Sequence, residues 1–249
     1  RKRRSPETNL TQDDMDMASS IQAVFEEIIV KIALNISDTT KMKNLCLSGG
    51  VALNCVVNGV LENKKIFNNI WIQPAAGDAG GALGAAVATY YMMLNNKREV
   101  NEKEDSMKGS YLGPKYRPKE IKSCLENIGA VFHENNIDQI INITAEEISK
   151  QKIIGWMQGK MEFGPRALGG RSIIADPRSS DMQKKLNLKI KFRESFRPFA
   201  PSILLEKTND WFNLNCESPY MLLVADINKE KKIKMSEDDE NLFGIEKLN

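Results

Sequence analysis

Four arginines, Arg166, Arg171, Arg178 and Arg197, lie in the stretch KMEFGPRALGGRSIIADPRSSDMQKKLNLKIKFRESFR (Lys160–Arg197), and each adjoins a Gly or a Pro. An arginine beside such a residue is held by backbone geometry. Its planar donor fork matches phosphate or carboxylate oxygens two at a time. Between Lys160 and Ala200 there are ten Lys or Arg against four Asp or Glu, while the whole chain carries only +2. The remainder is therefore net acidic, and the positive charge is concentrated here. A solvated helix face favours lysine at a different spacing, as Lys184, Lys185 and Lys189 have further on. The structural alternative is pairing with the local acids Glu162, Asp176 and Glu194. For four arginines at once, the expectation is an anion site.

A second candidate lies upstream. In NLCLSGGVALNCVVNGVLENKK, Leu45–Leu47 is expected as a buried strand, Ser48-Gly49-Gly50 as a tight turn and Val51–Lys64 as a helix. A Gly-rich turn feeding a helix offers bare backbone N–H groups to an anion; the same turn also serves close packing alone. The pattern repeats, with Asn69–Gln73 as a strand before PAAGDAGGALGAAVATYY. Strand, turn and helix twice over imply a parallel α/β sheet with ligands at the C-terminal strand ends. Asp78 stands where the second loop meets its helix. It is either an N-cap or a carboxylate that bridges a metal or a phosphate.

Other elements must position these groups. Thr11 opens a capping box with Asp14, and Ile21, Val24, Phe25, Ile28, Ile29, Ile32 and Ile36 recur at helical spacing. The charged stretch Asn95–Ser110 marks a boundary, giving domains of residues 1–105 and 106–249. Beyond it, Pro118 begins a helix that Gly129 stops, a strand is expected around Val131 and a helix from about Ile137 to Lys150. IIGWM, PSILL and YMLLVAD are expected strands, and Lys229–Glu240 a charged surface segment. RKRR at the start is an exposed loop rather than a nucleic-acid tail, because nothing aromatic interleaves it. No nucleic-acid partner is therefore expected, and, because no apolar run reaches bilayer length, no membrane either. Cys46, Cys55, Cys124 and Cys216 are scattered without metal spacing, which predicts reduced, buried thiols in a cytoplasmic protein. His133, the only histidine, reads as a surface or packed residue.

LCLSGGVALNCVVNG, IWIQPAAGDAGGALGAA, MEFGPRALGGRSIIADPR and KFRESFRPFAPS together resemble the O-carbamoyltransferases of the nodulation, antibiotic-tailoring and toxin-tailoring type. The resemblance implies an α/β fold in two parts. The first is the C-terminal lobe of an actin/sugar-kinase-like (Kae-type) ATPase domain, and the second is a YrdC-like α/β domain with a twisted sheet that forms an acyl-adenylate. Members of that family are longer, so the chain is expected to be an internal piece of a larger enzyme, with its second domain incomplete, and to be inactive in carbamoyl transfer on its own.

The implied reaction joins carbamoyl phosphate and ATP into carbamoyl-adenylate with release of pyrophosphate. A hydroxyl of a small-molecule or saccharide acceptor then takes the carbamoyl group. Two polyanions must be brought together, which needs fixed positive charge. The resemblance assigns this to Arg166, Arg171 and Arg197, with Lys160 and Arg178 as secondary carbamoyl phosphate or nucleotide contacts. Ser48, Gly49, Gly50, Asn54 and Gly77 would line the nucleotide. Asp78 would be a metal ligand completing a His/His/Asp site for Fe(II) or Mn(II), with Mg(II) as a further choice. Phe163, Phe196 and Phe199 are either core or the wall of a water-excluding passage. A homo-oligomer remains open. The alternatives are an ATP-dependent kinase of the actin/sugar-kinase fold and a non-catalytic nucleotide-binding fragment; the first leaves the arginine-rich stretch unexplained.

Overall fold

The computed structural model describes residues 4, 5, 8, 10–100 and 105–242. Of the basic run RKRR, all but Arg4 lies outside the described residues. The chain forms two units, residues 1–73 with 180–249, and residues 74–179.

In the first unit, Thr11 caps helix α1 (Gln12–Thr40) through the expected box with Asp14. A parallel pair follows: β1 (Asn44–Leu47) lies beside β2 (Asn69–Ile72), with Leu45 opposite Ile70 and Leu47 opposite Ile72. Helix α2 (Cys55–Lys64) forms the crossover between them. This is the expected strand–helix–strand unit. Ala33, Leu61 and Phe67 form its buried centre, with Ile29, Val30, Leu45, Leu47, Ile66 and Ile70 packed around them.

Three expectations for this unit need correction. Helix α2 does not start at Val51. Ser48-Gly49-Gly50 runs into a single 3-10 turn, and the helix begins only after Asn54, whose Oδ1 accepts from the Val56 and Val57 N–H groups at 3.1 and 3.2 Å. A side chain that satisfies the first free amides sets the helix start. The long helix α1 is present, but the residues that meet the core are Ile29, Val30 and Ala33. Met17, Ile21, Val24, Ile28 and Ile32 stay on an exposed face. PSILL and YMLLVAD form no strands. The latter runs as irregular chain along α2, where the buried Asn58 amide donates to Leu222 O at 3.0 Å and Ala52 O at 2.8 Å. A side chain thus takes the place of a strand partner.

In the second unit, α3 (Asp78–Ala88) continues into a π-helical turn at Thr89–Met93. Helix α4 (Pro118–Asn127) ends as expected, with Gly129 at φ +66°. Helix α5 (Ile137–Ser149) starts at an Asn136/Gln139 capping box. Strand β3 (Ile154–Met157) pairs antiparallel with β4 (Arg171–Ile174), Met157 opposite Arg171; β4 was not anticipated. No strand forms around Val131, which is 95% exposed without a neighbouring strand to pair with. His133 is exposed there.

The thiols are also not buried. Cys46, Cys124 and Cys216 are exposed, Cys55 is half-buried, and all four are free. Cys46 alternates with the inward Leu45 and Leu47 on a pleated strand, which turns it to the other side.

Candidate functional site

Strands β3 and β4 are joined by a long loop, residues 158–170, that carries Lys160 and Arg166 and delivers the chain to Arg171. Gln158 N–H donates to Gly170 O at 2.9 Å and closes its base. The buried Glu162 carboxylate fills the loop. Its Oε1 accepts from the backbone N–H groups of Leu168 (2.7 Å), Gly170 (2.7 Å) and Arg171 (3.1 Å). Burial pushes the Glu162 carboxyl up, but these N–H groups together with its own outweigh burial and hold it below the ordinary glutamate value. Only glycine fits at 170, since a Cβ there would lie 2.6 Å from Lys160 O. Residues 110–114 tie the loop from below. Phe163 N–H donates to Ser110 O at 2.7 Å, Met161 N–H to Pro114 O at 3.0 Å, and the Tyr111 hydroxyl to Leu168 O. Met107 and Ser110, at the end of the charged stretch Asn95–Ser110, are buried here.

The arginines of this unit are held in different ways. Arg171 Nη1 donates to Gly170 O at 2.7 Å and Gln158 O at 3.3 Å, and Nη2 donates to Gly159 O at 3.4 Å. Its fork is therefore oriented by carbonyls rather than by a carboxylate. Arg178 is paired: Nε and Nη2 reach Asp176 Oδ1 and Oδ2 at 2.9 and 2.6 Å. This bidentate contact holds the Asp176 carboxyl down at about 2. Arg166 is half-buried and Lys160 exposed.

The loop also meets the segment leading to Asp78. Gly164, at φ +120°, packs so closely on that segment that a Cβ would lie 3.2 Å from Ala75 Cβ and 3.4 Å from Pro74 O. The Gly-Pro-Arg corner and the Pro-Ala-Ala-Gly-Asp loop are thereby neighbours. The cap of α3 falls on Gly77, and Asp78 is the first residue inside the helix, exposed, where a carboxylate suits the positive end of the helix dipole. Asp78 is therefore not the N-cap. Among the described residues no group of three or more His, Cys, Asp and Glu could hold a metal. Asp78 is thus at most one ligand of a metal site.

In the first unit, Arg197 is exposed and its Nε donates to Glu194 Oε2 at 3.0 Å. Its own N–H first and Arg197 second keep the Glu194 carboxyl below the ordinary value. The loop is set by a residue that sequence reasoning missed. Asn187, fully buried, donates from Nδ2 to Ser195 O at 2.9 Å and Arg197 O at 2.8 Å, and its Oδ1 accepts from Arg193 Nε at 2.6 Å. Gln183 Nε2 adds bonds to Phe196 O and Arg197 O, and the Arg193 guanidinium lies 4.9 Å from the centre of the Phe199 ring. Ser48, Gly49 and Gly50 are exposed, and a Cβ at either glycine would meet nothing within 4 Å. Asn54 is occupied as a helix cap, and its Nδ2 donates to Gln22 Oε1 at 3.0 Å.

Residues 2–87 match the family model described as carbamoyltransferase N-terminus, and residues 145–238 match the one described as carbamoyltransferase C-terminus. The chain belongs to the carbamoyltransferase family. The carbamoyltransferase N-terminal match takes in Ser48–Gly50, Asn54, Gly77 and Asp78; the C-terminal match takes in Lys160 and all four arginines. Relatives include an uncharacterized protein of Synechocystis sp., 52% identical over 249 residues, covering 99% of this chain and 40% of the relative. Nodulation protein NolNO of Sinorhizobium fredii is 38% identical over 226 residues, 89% of this chain and 32% of its own length. Nodulation protein NolO of Bradyrhizobium diazoefficiens is 36% identical over 225 residues, 89% and 40% respectively. The chain thus spans about two fifths or less of these relatives' lengths.

Proposed function

We propose that this chain supplies the carbamoyl phosphate- and nucleotide-handling part of an O-carbamoyltransferase. The observation that carries the reading is the pair of carbamoyltransferase matches, in order, over the two regions that hold the candidate residues. The finer fold assignment, an actin/sugar-kinase-like lobe followed by a YrdC-like domain with its boundary near residue 105, belongs to the same reading. The parallel strand–helix–strand unit supports its first half.

In this reading carbamoyl phosphate, ATP and water give carbamoyl-adenylate, pyrophosphate and phosphate. Water first takes the phosphoryl group of carbamoyl phosphate, breaking its P–O bond and releasing phosphate and carbamate; the carbamate oxygen then forms its new bond to the α-phosphorus as pyrophosphate leaves. An acceptor hydroxyl then attacks the carbamoyl carbon, AMP departs with the electron pair of the broken bond, and the hydroxyl proton passes to solvent. Arg166, Arg171 and Arg197 stabilise the phosphoryl oxygens as charge shifts between them. The Arg197–Glu194 pair is an exposed contact three residues apart, worth about 0–1 kcal/mol, so an incoming polyanion can displace it. Arg178 is committed to Asp176, and its part is to shape the turn after β4. Ser48–Gly50 give the nucleotide open backbone. Asp78 contributes one carboxylate where a divalent cation, Fe(II) or Mn(II), would polarise phosphate oxygens; the other ligands would come from histidines outside these 249 residues.

Among the described residues no helix is long and apolar enough to cross a membrane, and a cytoplasmic setting is part of the proposal. The test is to incubate the longer enzyme of which this chain is expected to be a piece with ATP, carbamoyl phosphate and a divalent cation, and to follow pyrophosphate and phosphate. Equal release of both, dependent on both substrates, is the expected outcome. ATP cleavage to ADP without carbamoyl phosphate dependence would overturn the reading in favour of a kinase.

A further inference from the structure

We propose that Glu162 is a positioning residue: its carboxylate is the built-in anion of the 158–170 loop and fixes the backbone from which Arg166 and Arg171 act. The inference rests on the carbamoyl-adenylate reading above for what the arginines bind, but not for what Glu162 holds.

Consecutive N–H groups that converge on one point make a concave anion site, and phosphate is a common occupant of such sites. Here the N–H groups of Leu168, Gly170 and Arg171 converge on Glu162 Oε1 within 2.7–3.1 Å, and the carboxylate is buried beneath them. The missing side chain of Gly170 makes the approach feasible, since a Cβ would also come within 3.0 Å of Glu162 Oε2.

Two consequences follow. A substrate phosphate cannot use these amides, because an anion attached to the chain already fills them, so recognition falls to the side chains. The loop contains neither helix nor strand; residues 110–114 tie its outside, and Glu162 is the acceptor for its inward N–H groups at Leu168, Gly170 and Arg171. With the carboxylate removed, three inward-pointing donors lose their acceptor and the loop must open to water to satisfy them. The Arg171 fork would move with it, because the three carbonyls that hold it, of Gln158, Gly159 and Gly170, all belong to the same loop.

A further detail makes the proposal sharp. All three bonds end on one oxygen, so an amide can replace the carboxylate. Glu162→Gln keeps that acceptor, loses the charge and turns the second oxygen, to which none of these three N–H groups donates, into an NH2 group, whereas Glu162→Ala vacates the site and Glu162→Asp is one methylene too short to reach all three donors.

The experiment uses the full chain and measures hydrogen exchange over residues 163–173 together with the KM for carbamoyl phosphate. In Glu162→Ala, exchange at the amides of 168, 170 and 171 is expected to rise on the order of 100-fold while β3 keeps its protection. The KM is expected to rise about tenfold or more. Formate, which fits the vacated nest, should restore protection and lower the KM; chloride at equal ionic strength should not. Glu162→Gln, which keeps the acceptor but makes three charge-assisted bonds neutral, should fall between the parent and the alanine variant in both measurements. If the alanine variant does not fold, Glu162→Asp takes its place with the same expectation. Parent-like exchange at 168–171 in the alanine variant, or lost protection with an unchanged KM, would overturn the proposal. A parent protein that ignores carbamoyl phosphate would instead overturn the reading of function, and the exchange data would still decide whether Glu162 holds the loop.

Discussion

The Arg197 loop hangs on Asn187, and the cost of removing it follows from its bonds. Two neutral hydrogen bonds run to Ser195 O and Arg197 O, and one charge-assisted bond comes from Arg193 Nε. At about 1 kcal/mol for each neutral bond and about 1.5–3 for the charged one, the sum is about 3.5–5 kcal/mol. Arg197 is exposed, so water recovers part of this, and Asn187→Ala is expected to cost about 2–4 kcal/mol. Arg193→Met removes the same charged bond and the contact over Phe199, for about 2–3 kcal/mol. Because the Asn187–Arg193 bond is lost in each single variant, the double variant should fall short of the sum by about 1.5–3 kcal/mol. Urea unfolding followed by far-UV circular dichroism, at constant slope, gives the three differences. A shortfall below about 0.5 kcal/mol, the level of independent sites, would refute the clamp.

Gly170→Ala is expected to destabilise the protein by about 1–3 kcal/mol, because the new methyl overlaps Lys160 O and backbone must move; an unchanged melting temperature would contradict the packing. Asp176 has its carboxyl lowered to about 2 by Arg178, so its stabilising contribution is present above its unfolded value near 3.8 and is lost as pH falls toward 2. Arg178→Ala should therefore weaken the protein at neutral pH and flatten its acid denaturation between about pH 4 and 2; an identical acid profile would show that the pair is idle. Arg166→Lys and Arg197→Lys keep the charge and lose the fork, and should each lower carbamoyl phosphate turnover on the order of 100-fold with the fold intact. Asp78→Asn, measured by metal content of the protein with its full ligand set, should lower bound Fe or Mn; unchanged stoichiometry would leave Asp78 as a residue that complements the helix dipole.

The parts legible in the sequence were those decided locally. Thr11 with Asp14, Pro118 with Gly129, and the strands of NLCL and NIWI all stand where short-range signals put them. Tertiary contacts decided the rest. YMLLVAD has the composition of a strand, yet Asn58, more than 160 residues earlier in the chain, takes its backbone bond instead. RSII had no strand signal that stood out from the arginine stretch, and only its pairing with IGWM makes it β4. Glu162 was read as a salt-bridge partner because charge counting sees only side chains. Its acceptor bonds to Leu168, Gly170 and Arg171 come from the backbone, and the signal was the glycine pair seven and eight residues on. Asn187 was readable too, as an amide in an otherwise apolar or cationic run.

The manner in which each arginine is held separates roles that composition could not. A guanidinium bound through Nε and Nη2 to a nearly buried carboxylate, as in Arg178, has that edge of its fork committed, and breaking the pair would strand Asp176. A guanidinium held through Nε alone by a surface glutamate, as in Arg197, gives up little on exchanging that partner for a doubly charged ligand. Arg171 is a third kind. Carbonyl oxygens of Gln158, Gly159 and Gly170 surround its fork, and without it they would repel any phosphate brought near the loop. Its charge lets that backbone face an anion. A lysine there would keep the charge but could not span three carbonyls with a planar fork. Arg171→Lys is therefore expected to disturb the loop as well as the ligand, and loop-amide exchange should rise along with the loss of turnover. Parent-like exchange in that variant would confine Arg171 to ligand contact.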